Sequence, residues 1–143
     1  MRVAVIDGQG GGIGKVLVGK IRHVFQETIE ILALGTNSVA TTIMVKAGAN
    51  QGATGENAIK YNLNNVDFIV GTISILIANS MMGELTPDMA SAIASSEAVK
   101  LLLPLNRSKV NVIGSLSEPL PHQAEMLVKQ LHKFILERSE SNV

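Results

Sequence analysis

Apolar and polar positions alternate in blocks along this chain. Residues 2–6 form a short, nearly unbroken apolar run, as strands do in parallel sheets whose two faces are both covered. From Ile13 the apolar positions Val16, Leu17, Ile21, Val24 and Phe25 follow helical spacing, with Lys15, Lys20, Arg22 and Gln26 on other faces. Residues 29–34 predict a second strand, ending at Gly35-Thr36-Asn37. Ser38 is expected to cap a helix running to about residue 46, with Val39, Ile43 and Met44 inward. Residues 51–56 predict a second glycine-bearing loop, and 57–63 a short helix. The clearest internal strand is 66–70, which Gly71-Thr72 ends.

Residues 73–82 fit a buried strand or a short helix, and run length alone does not separate the two. Thr86-Pro87-Asp88 is a strong helix start: a capping hydroxyl, proline at the first helical position, then an acid in the first turn. Met89, Ala90, Ile93 and Ala94 form its expected inward face. Residues 99–103 and 110–113 predict two further strands. Ser117, Pro119 and Pro121 introduce a last helix with the stripe Ala124, Leu127, Val128, Leu131 and Phe134. Beyond Arg138 the chain is polar and expected to fray. Neither a repeat nor a linker divides the chain, so residues 1–138 are expected to form one domain, with 139–143 as a tail.

Strands alternating with helices imply an α/β fold: a Rossmann-like three-layer sandwich, with a mostly parallel sheet of about five strands and helices on both faces. Crossovers should be right-handed. Ligands of such sheets bind beyond the carboxyl ends of the strands. Asp7, Thr36, Asn37, Thr72, Asn106 and Arg107 all follow predicted strand ends and are expected to gather along one rim.

Composition narrows the partners. Hydrophobic residues make up 46% of the 143 positions and charged residues 17%, which is apolar for a soluble domain of this size. Two readings stay open: self-association as a homo-oligomer, and a well-filled core rich in Ala, Val and Ile. The formal net charge is zero, with three Phe, one Tyr and no Trp, so neither the basic face nor the stacking rings of a nucleic-acid binder are evident. The absence of cysteine excludes disulfides and thiolate chemistry and fits a cytoplasmic home. Residues 2–6 are too short for a signal peptide. The longest apolar stretch, 68–82, is interrupted by Ser74, Asn79 and Ser80 and falls short of the ~20 residues of a spanning helix, so no membrane partner is expected.

The candidate chemistry is concentrated in Asp7-Gly8-Gln9-Gly10-Gly11-Gly12-Ile13-Gly14, between the first strand and the first helix. Five glycines occupy seven positions in the pattern G-x-x-x-G-x-G, and Ile13 holds the third-glycine place of G-x-G-x-x-G. The spacing resembles the short-chain dehydrogenase variant of the dinucleotide turn. Glycines let backbone N–H groups approach an oxyanion with no Cβ in the way, and the helix N-terminus adds partial positive charge. Residues 7–14 are therefore the primary candidates to bind a small anionic ligand, with a nucleotide or dinucleotide as the cofactor class. The competing reading is a tight turn with close packing, in which Asp7 merely braces the loop.

An ordinary nicotinamide dehydrogenase is disfavoured. The second strand ends in Gly35-Thr36-Asn37, where a ribose-binding acid would be expected. The only tyrosine, Tyr61, is followed by Asn65 where a short-chain dehydrogenase has lysine. Elsewhere on the rim, Thr36 and Asn37 can bind a second anion with Ser38, or the segment can simply cap a helix. Asn106 and Arg107 complete the ligand-binding candidates, Arg107 as a clamp for phosphate or carboxylate or as a solvated charge. Asn79 and Ser80 either face the site or satisfy backbone groups. If the protein is an enzyme, Glu56 in Gly55-Glu56 is the candidate acid/base; the alternative is a first-turn helix acid. His23, His122 and His132 lack ligand partners at metal spacing, so no metal site is expected.

The chain as a whole resembles a small bacterial family of uncharacterised proteins, a domain of unknown function. The resemblance is carried by Val5-Ile6-Asp7-Gly8-Gln9-Gly10-Gly11-Gly12-Ile13-Gly14, Ala33-Leu34-Gly35-Thr36-Asn37, Gly52-Ala53-Thr54-Gly55-Glu56-Asn57-Ala58, Ala78-Asn79-Ser80-Met81-Met82-Gly83-Glu84 and Pro104-Leu105-Asn106-Arg107. It implies a Rossmann-like fold and no established activity. A weaker similarity is to the methylglyoxal-synthase-like fold, in which a Gly-Thr strand end and a Gly-Asp loop hold a phosphate and a catalytic acid. Gly35-Thr36 and Gly55-Glu56 would be the counterparts, but Asn37 and Glu56 depart from that pattern, and its histidine is missing. The expected function is that of a binding or sensor module for a nucleotide-like or phosphorylated ligand. The alternatives are an enzyme acting on a phosphorylated small molecule, and a structural protein without a ligand.

Overall fold

A computed structural model describes residues 1–105, 109–115 and 117–141. Five strands, β1 (Arg2–Asp7), β2 (Glu30–Gly35), β3 (Gln51–Thr54), β4 (Phe68–Thr72) and β5 (Val99–Leu103), form one parallel sheet in the order β3-β2-β1-β4-β5. Helices α1 (Gly12–Phe25), α2 (Ser38–Ala47), α3 (Glu56–Asn62), α4 (Pro87–Ser95) and α5 (Leu120–Ser141) connect and cover the strands. Strand residues alternate between two cores. Val3, Val5, Ile31, Ala33, Phe68 and Val70 face α1, α2 and α5, while Ala4, Ile6, Leu32, Leu34 and Ile69 face α3 and α4. This is the expected three-layer Rossmann-like sandwich.

The register sets the rim. Asp7 lies opposite Gly35, Gly35 opposite Thr54, and Thr72 opposite Leu103, so the carboxyl ends of all five strands finish together. From β1 the chain winds outward through β2 and β3, then crosses back to β4 on the other side of β1. The direction of winding therefore reverses between β1 and β4, the place where open α/β sheets hold their ligands.

Several elements depart from the sequence reading, each for a local reason. The predicted loop at 51–56 is largely the edge strand β3, concealed because α2 presses on it: a Cβ on Gly52 would meet Thr41 Cγ2 and Val45 Cγ2, both at 2.7 Å. Residues 110–113 are not a strand. Val112 and Ile113 are exposed and no described strand pairs there, since apolar character marks a strand only when a partner edge is present. Residues 73–82 are neither strand nor α-helix. A 3₁₀ turn over Ile73–Leu76 leads into successive turns. The cap of α2 is Asn37, not Ser38: its Oδ1 accepts from Ala40 N at 2.9 Å. Val39 and Ala94 are exposed rather than inward, because each lies on the solvent side of its helix. Thr86 does cap α4, accepting from Met89 N, and α5 runs on to Ser141.

Arg22, placed by periodicity on a polar face of α1, ties two helix ends together. Its Nε donates to the Gly48 carbonyl at the end of α2 (2.9 Å), and its Nη1 to the Gln26 and Ile29 carbonyls. At the amino ends of the strands, Asp67 accepts from Arg2 N (2.8 Å) and from Arg138 Nη1 of α5 (3.2 Å).

Glycines at two positions make opposite predictions. A Cβ on Gly35 would meet Thr41 Oγ1 and the backbone of Asn37 and Thr41 at 2.7 Å, and backbone cannot step aside. Gly35→Ala should lower the stability of the domain by about 1–3 kcal/mol. Gly19, inside α1 with nothing described within 4 Å of its Cβ position, should gain about 0.5–1 kcal/mol on Gly19→Ala. Urea denaturation of the two variants checks both signs.

Candidate functional site

The glycine turn is built around Asp7, the last residue of β1. Its side chain is buried, and its two oxygens accept from Gly8 N at 2.8 Å and Gly14 N at 2.7 Å. One carboxylate thus joins the end of the strand to the first turn of α1 and takes up one of the four amides that a helix start leaves unpaired. Gly11, at φ 72°, precedes the helix; its amide donates to the Gly8 carbonyl (3.0 Å). The bracing reading of Asp7 is therefore realised in the structure.

The five glycines are not equivalent. A Cβ on Gly8 would strike Thr36 Oγ1 and Met81 Sδ, one on Gly11 would strike Ile43 and the backbone of Ala40, and one on Gly14 would strike Met44 and Asp7. These three are glycine because the fold leaves no room. Gly10 and Gly12 differ: no described atom lies within 4 Å of either Cβ position, neither has a left-handed φ, and both are exposed. The amides of Gly10, Gly12 and Ile13 make no hydrogen bond among the described residues.

Above these amides lies a cleft of about 570 Å³. Residues 7–13 line it, with Thr72 at the end of β4, Ser74 just after it, Met81 and Met82 from the following loop, and Leu120 at the start of α5. It opens where β1 and β4 diverge. A larger cavity, about 740 Å³, sits at the opposite end of the sheet around Asp67 and Arg138. The position of the smaller cleft beyond the carboxyl ends of the strands makes it the candidate site in a sheet of this type.

The loop between β4 and α4 adds a residue that the sequence did not single out as functional. Glu84 Oε1 accepts from Gln9 N (2.9 Å), Thr36 Oγ1 (2.7 Å) and Asn37 Nδ2 (2.7 Å). These hydrogen bonds, led by that from the Gln9 amide, hold its pKa below the ordinary value for a glutamate, against an opposing push from burial. Asn37 Nδ2 also donates to the Gln9 carbonyl (2.9 Å), so the turn and the β2–α2 junction form one network. The loop reaches this position through left-handed backbone at Asn79, Met81 and Met82 (φ 66°, 56° and 57°), a conformation uncommon for non-glycine residues. It is pinned by Ser80, whose hydroxyl donates to the Ser74 carbonyl, and by Leu85, which is fully buried.

Asp7, Thr36, Asn37 and Thr72 do share one rim with the glycine turn. Asn106 and Arg107 lie outside the described residues. What Thr36 and Asn37 hold is the carboxylate of Glu84. Glu56 does not line the cleft; it starts α3 and accepts from the Thr86 hydroxyl. Ser80 satisfies backbone rather than facing the cleft, and Asn79 is exposed. Tyr61 is 75% exposed on α3. His132 packs edge-on against Phe25, and His122 pairs with Glu118. The signal that could have raised Glu84 was its place as a lone acid closing an otherwise apolar loop.

Sheet order, winding reversal and glycine turn together define a Rossmann-like α/β domain with a cleft at its switch point. The chain belongs to the family described as Domain of unknown function (DUF3842), which it matches over residues 2–136. No curated protein matches it. Among solved structures it is similar to a dodecameric FMN-dependent UbiX-like decarboxylase from Escherichia coli O157:H7, with 11% identity, a TM-score of 0.42, and coverage of 94% of each chain. No described helix is long and apolar enough to cross a membrane.

Glu84 makes stability depend on pH. Its depressed pKa means that its contribution is present above the ordinary value of 4.5 and is lost as pH falls through the lower folded-state value. Glu84→Gln should cost roughly 1 kcal/mol at neutral pH, a charged hydrogen bond discounted for solvent. That gap should close below pH 4.5. Parallel denaturant titrations of both proteins across this range would show it; a constant gap would mean the charge contributes nothing.

Proposed function

We propose that the cleft binds the phosphate of a nucleotide-like or phosphorylated small molecule, and that the protein acts as a cytoplasmic binding or sensor module. The observation that carries this reading is the bareness of Gly10 and Gly12. Neither backbone angle nor packing among the described residues requires glycine at these positions, yet both line the cleft beside amides that make no hydrogen bond among those residues. A side chain there would stand between those amides and an incoming oxyanion, and the partial charge of the α1 start favours that anion. Thr72 lines the facing wall, and Met82, 94% exposed, supplies an apolar surface for the rest of the ligand. The acid/base role for Glu56 has no comparable support, since its carboxylate engages Thr86.

Gly10→Val and Gly12→Val should fold normally and lose at least about tenfold in affinity, or about 1.4 kcal/mol. Calorimetric titration with inorganic phosphate and a panel of nucleotides and sugar phosphates provides the measurement, with Glu56→Gln as a variant whose binding should be unchanged. Undiminished affinity in the valine variants would place the pocket elsewhere.

Self-association is part of the same proposal. β5 is hydrogen-bonded to β4 on one side, and beyond it a largely apolar groove of about 460 Å³ runs between Leu101, Leu103 and the Met126 and Leu127 side of α5. Ile113, next to that groove, is 94% exposed. A two-fold copy offers the same strand edge and the same apolar surface, so the patch is its own complement. Light scattering after size exclusion should give a multiple of 15.1 kDa for the native chain and a smaller species for Ile113→Asp. A native monomer would remove this part of the proposal.

A further inference from the structure

The rim has two sides, separated by the backbone of Gly8 and Gln9. Towards β4 lies the open cleft with the amides of Gly10, Gly12 and Ile13. Towards β2 lies a second set of donors: Gln9 N, Thr36 Oγ1 and Asn37 Nδ2. Three donors of different origin converge on one oxygen, which is what an anion position consists of. In this chain the anion is supplied internally, by Glu84. The divider is tightly packed, because the Cβ position of Gly8 is already taken up by Thr36, Met81 and, at 3.2 Å, Glu84 Oε1. The loop carrying the carboxylate is also held at its base, where Asn79 N donates to the Leu85 carbonyl (2.8 Å).

Folds with this strand order place one half of a dinucleotide on each side of the central strand, and an acid at the end of the second strand takes the ribose. Here the end of β2 carries no acid, and a carboxylate from the loop after β4 fills the adjoining space. Resting on the reading of the cleft as a phosphate site, we infer that Glu84 is a specificity-determining residue that confines the ligand to one phosphate-bearing half. The β4 side takes a mononucleotide-like phosphate ester, and the β2 side is closed to a second half by the protein's own carboxylate. A dinucleotide would have to displace Glu84 from all three donors and leave its negative charge beside the incoming ribose or phosphate.

Inorganic phosphate is a sufficient probe, followed residue by residue in ¹⁵N-labelled protein. In the native protein the amides of Gly10, Gly12 and Ile13 should shift and saturate together, while the Gln9 amide and the Asn37 side-chain amide stay in place. In Glu84→Ala a second saturable set should appear at Gln9 and Asn37, and calorimetry should count two phosphates per chain instead of one. Adding Thr36→Val to that variant should remove the second seat and keep the first, which separates an opened seat from a loosened loop. The matched pairs FMN with FAD and nicotinamide mononucleotide with NAD give a second readout: for any pair that binds, the native protein should take the mononucleotide at least as tightly, and Glu84→Ala should shift the preference towards the dinucleotide. The inference is overturned if phosphate moves Gln9 and Asn37 in the native protein, or if Glu84→Ala still binds a single phosphate. No response at Gly10, Gly12 and Ile13 in either protein would instead sink the phosphate reading itself, and this inference with it.

Discussion

The bond on which this architecture turns is the double acceptance by Asp7. A carboxylate at the end of the central strand takes the amide of the next residue and the amide of Gly14, one turn into α1. It is buried, so each hydrogen bond forms in a medium where an unpaired charge or donor would be costly. The strand end, the turn and the helix axis are thereby held in one geometry. That geometry leaves the amides of Gly10, Gly12 and Ile13 without a hydrogen bond among the described residues. A turn held less firmly would let its own carbonyls or side chains satisfy those amides.

Around this brace, two kinds of glycine serve two purposes. Gly8, Gly11 and Gly14 are small because Thr36, Met81, Ile43, Ala40 and Met44 press on them. Their role is to let α1, α2 and the β4–α4 loop approach the end of the sheet closely. Gly10 and Gly12 are small where nothing presses, so the space in front of them belongs to solvent or to a ligand. Glu84 links the two groups. By holding Gln9 against the β2–α2 junction it fixes the outer edge of the turn, and the left-handed residues before it give the loop the sharp path this requires.

How much of this was legible depended on sequence distance. The turn, its flanking strand and helix, and the core strands β1, β2, β4 and β5 could be read because each is a local pattern of apolar runs and glycines. β3 could not, because an edge strand under α2 needs small residues such as Gly52, and these look like a loop. The segment at 110–113 misled in the opposite direction: apolar alternation reports what a residue can do, not whether an edge waits for it. Glu84 was hidden for a third reason. Its partners Gln9, Thr36 and Asn37 are 75, 48 and 47 residues away, and no local periodicity encodes a contact made only after the sheet has closed. The capping of α2 by Asn37 rather than Ser38 is a smaller instance, settled by an extended backbone at Asn37 that composition does not reveal.

The strand order has a further consequence for how the chain is made. β1 leaves the ribosome before the other four strands of the sheet, yet it lies in the middle of the finished sheet, between β2 and β4. While β2 and β3 are being added on one flank, the other edge of β1 has no neighbour, and the apolar residues Val3 and Val5 are without the cover that Phe68 and Val70 later complete. A nascent chain halted before β4 therefore presents an unpaired parallel edge to every similar chain nearby, a template for intermolecular pairing. The crossover that creates the cleft in the mature protein is also the step that ends this vulnerable interval.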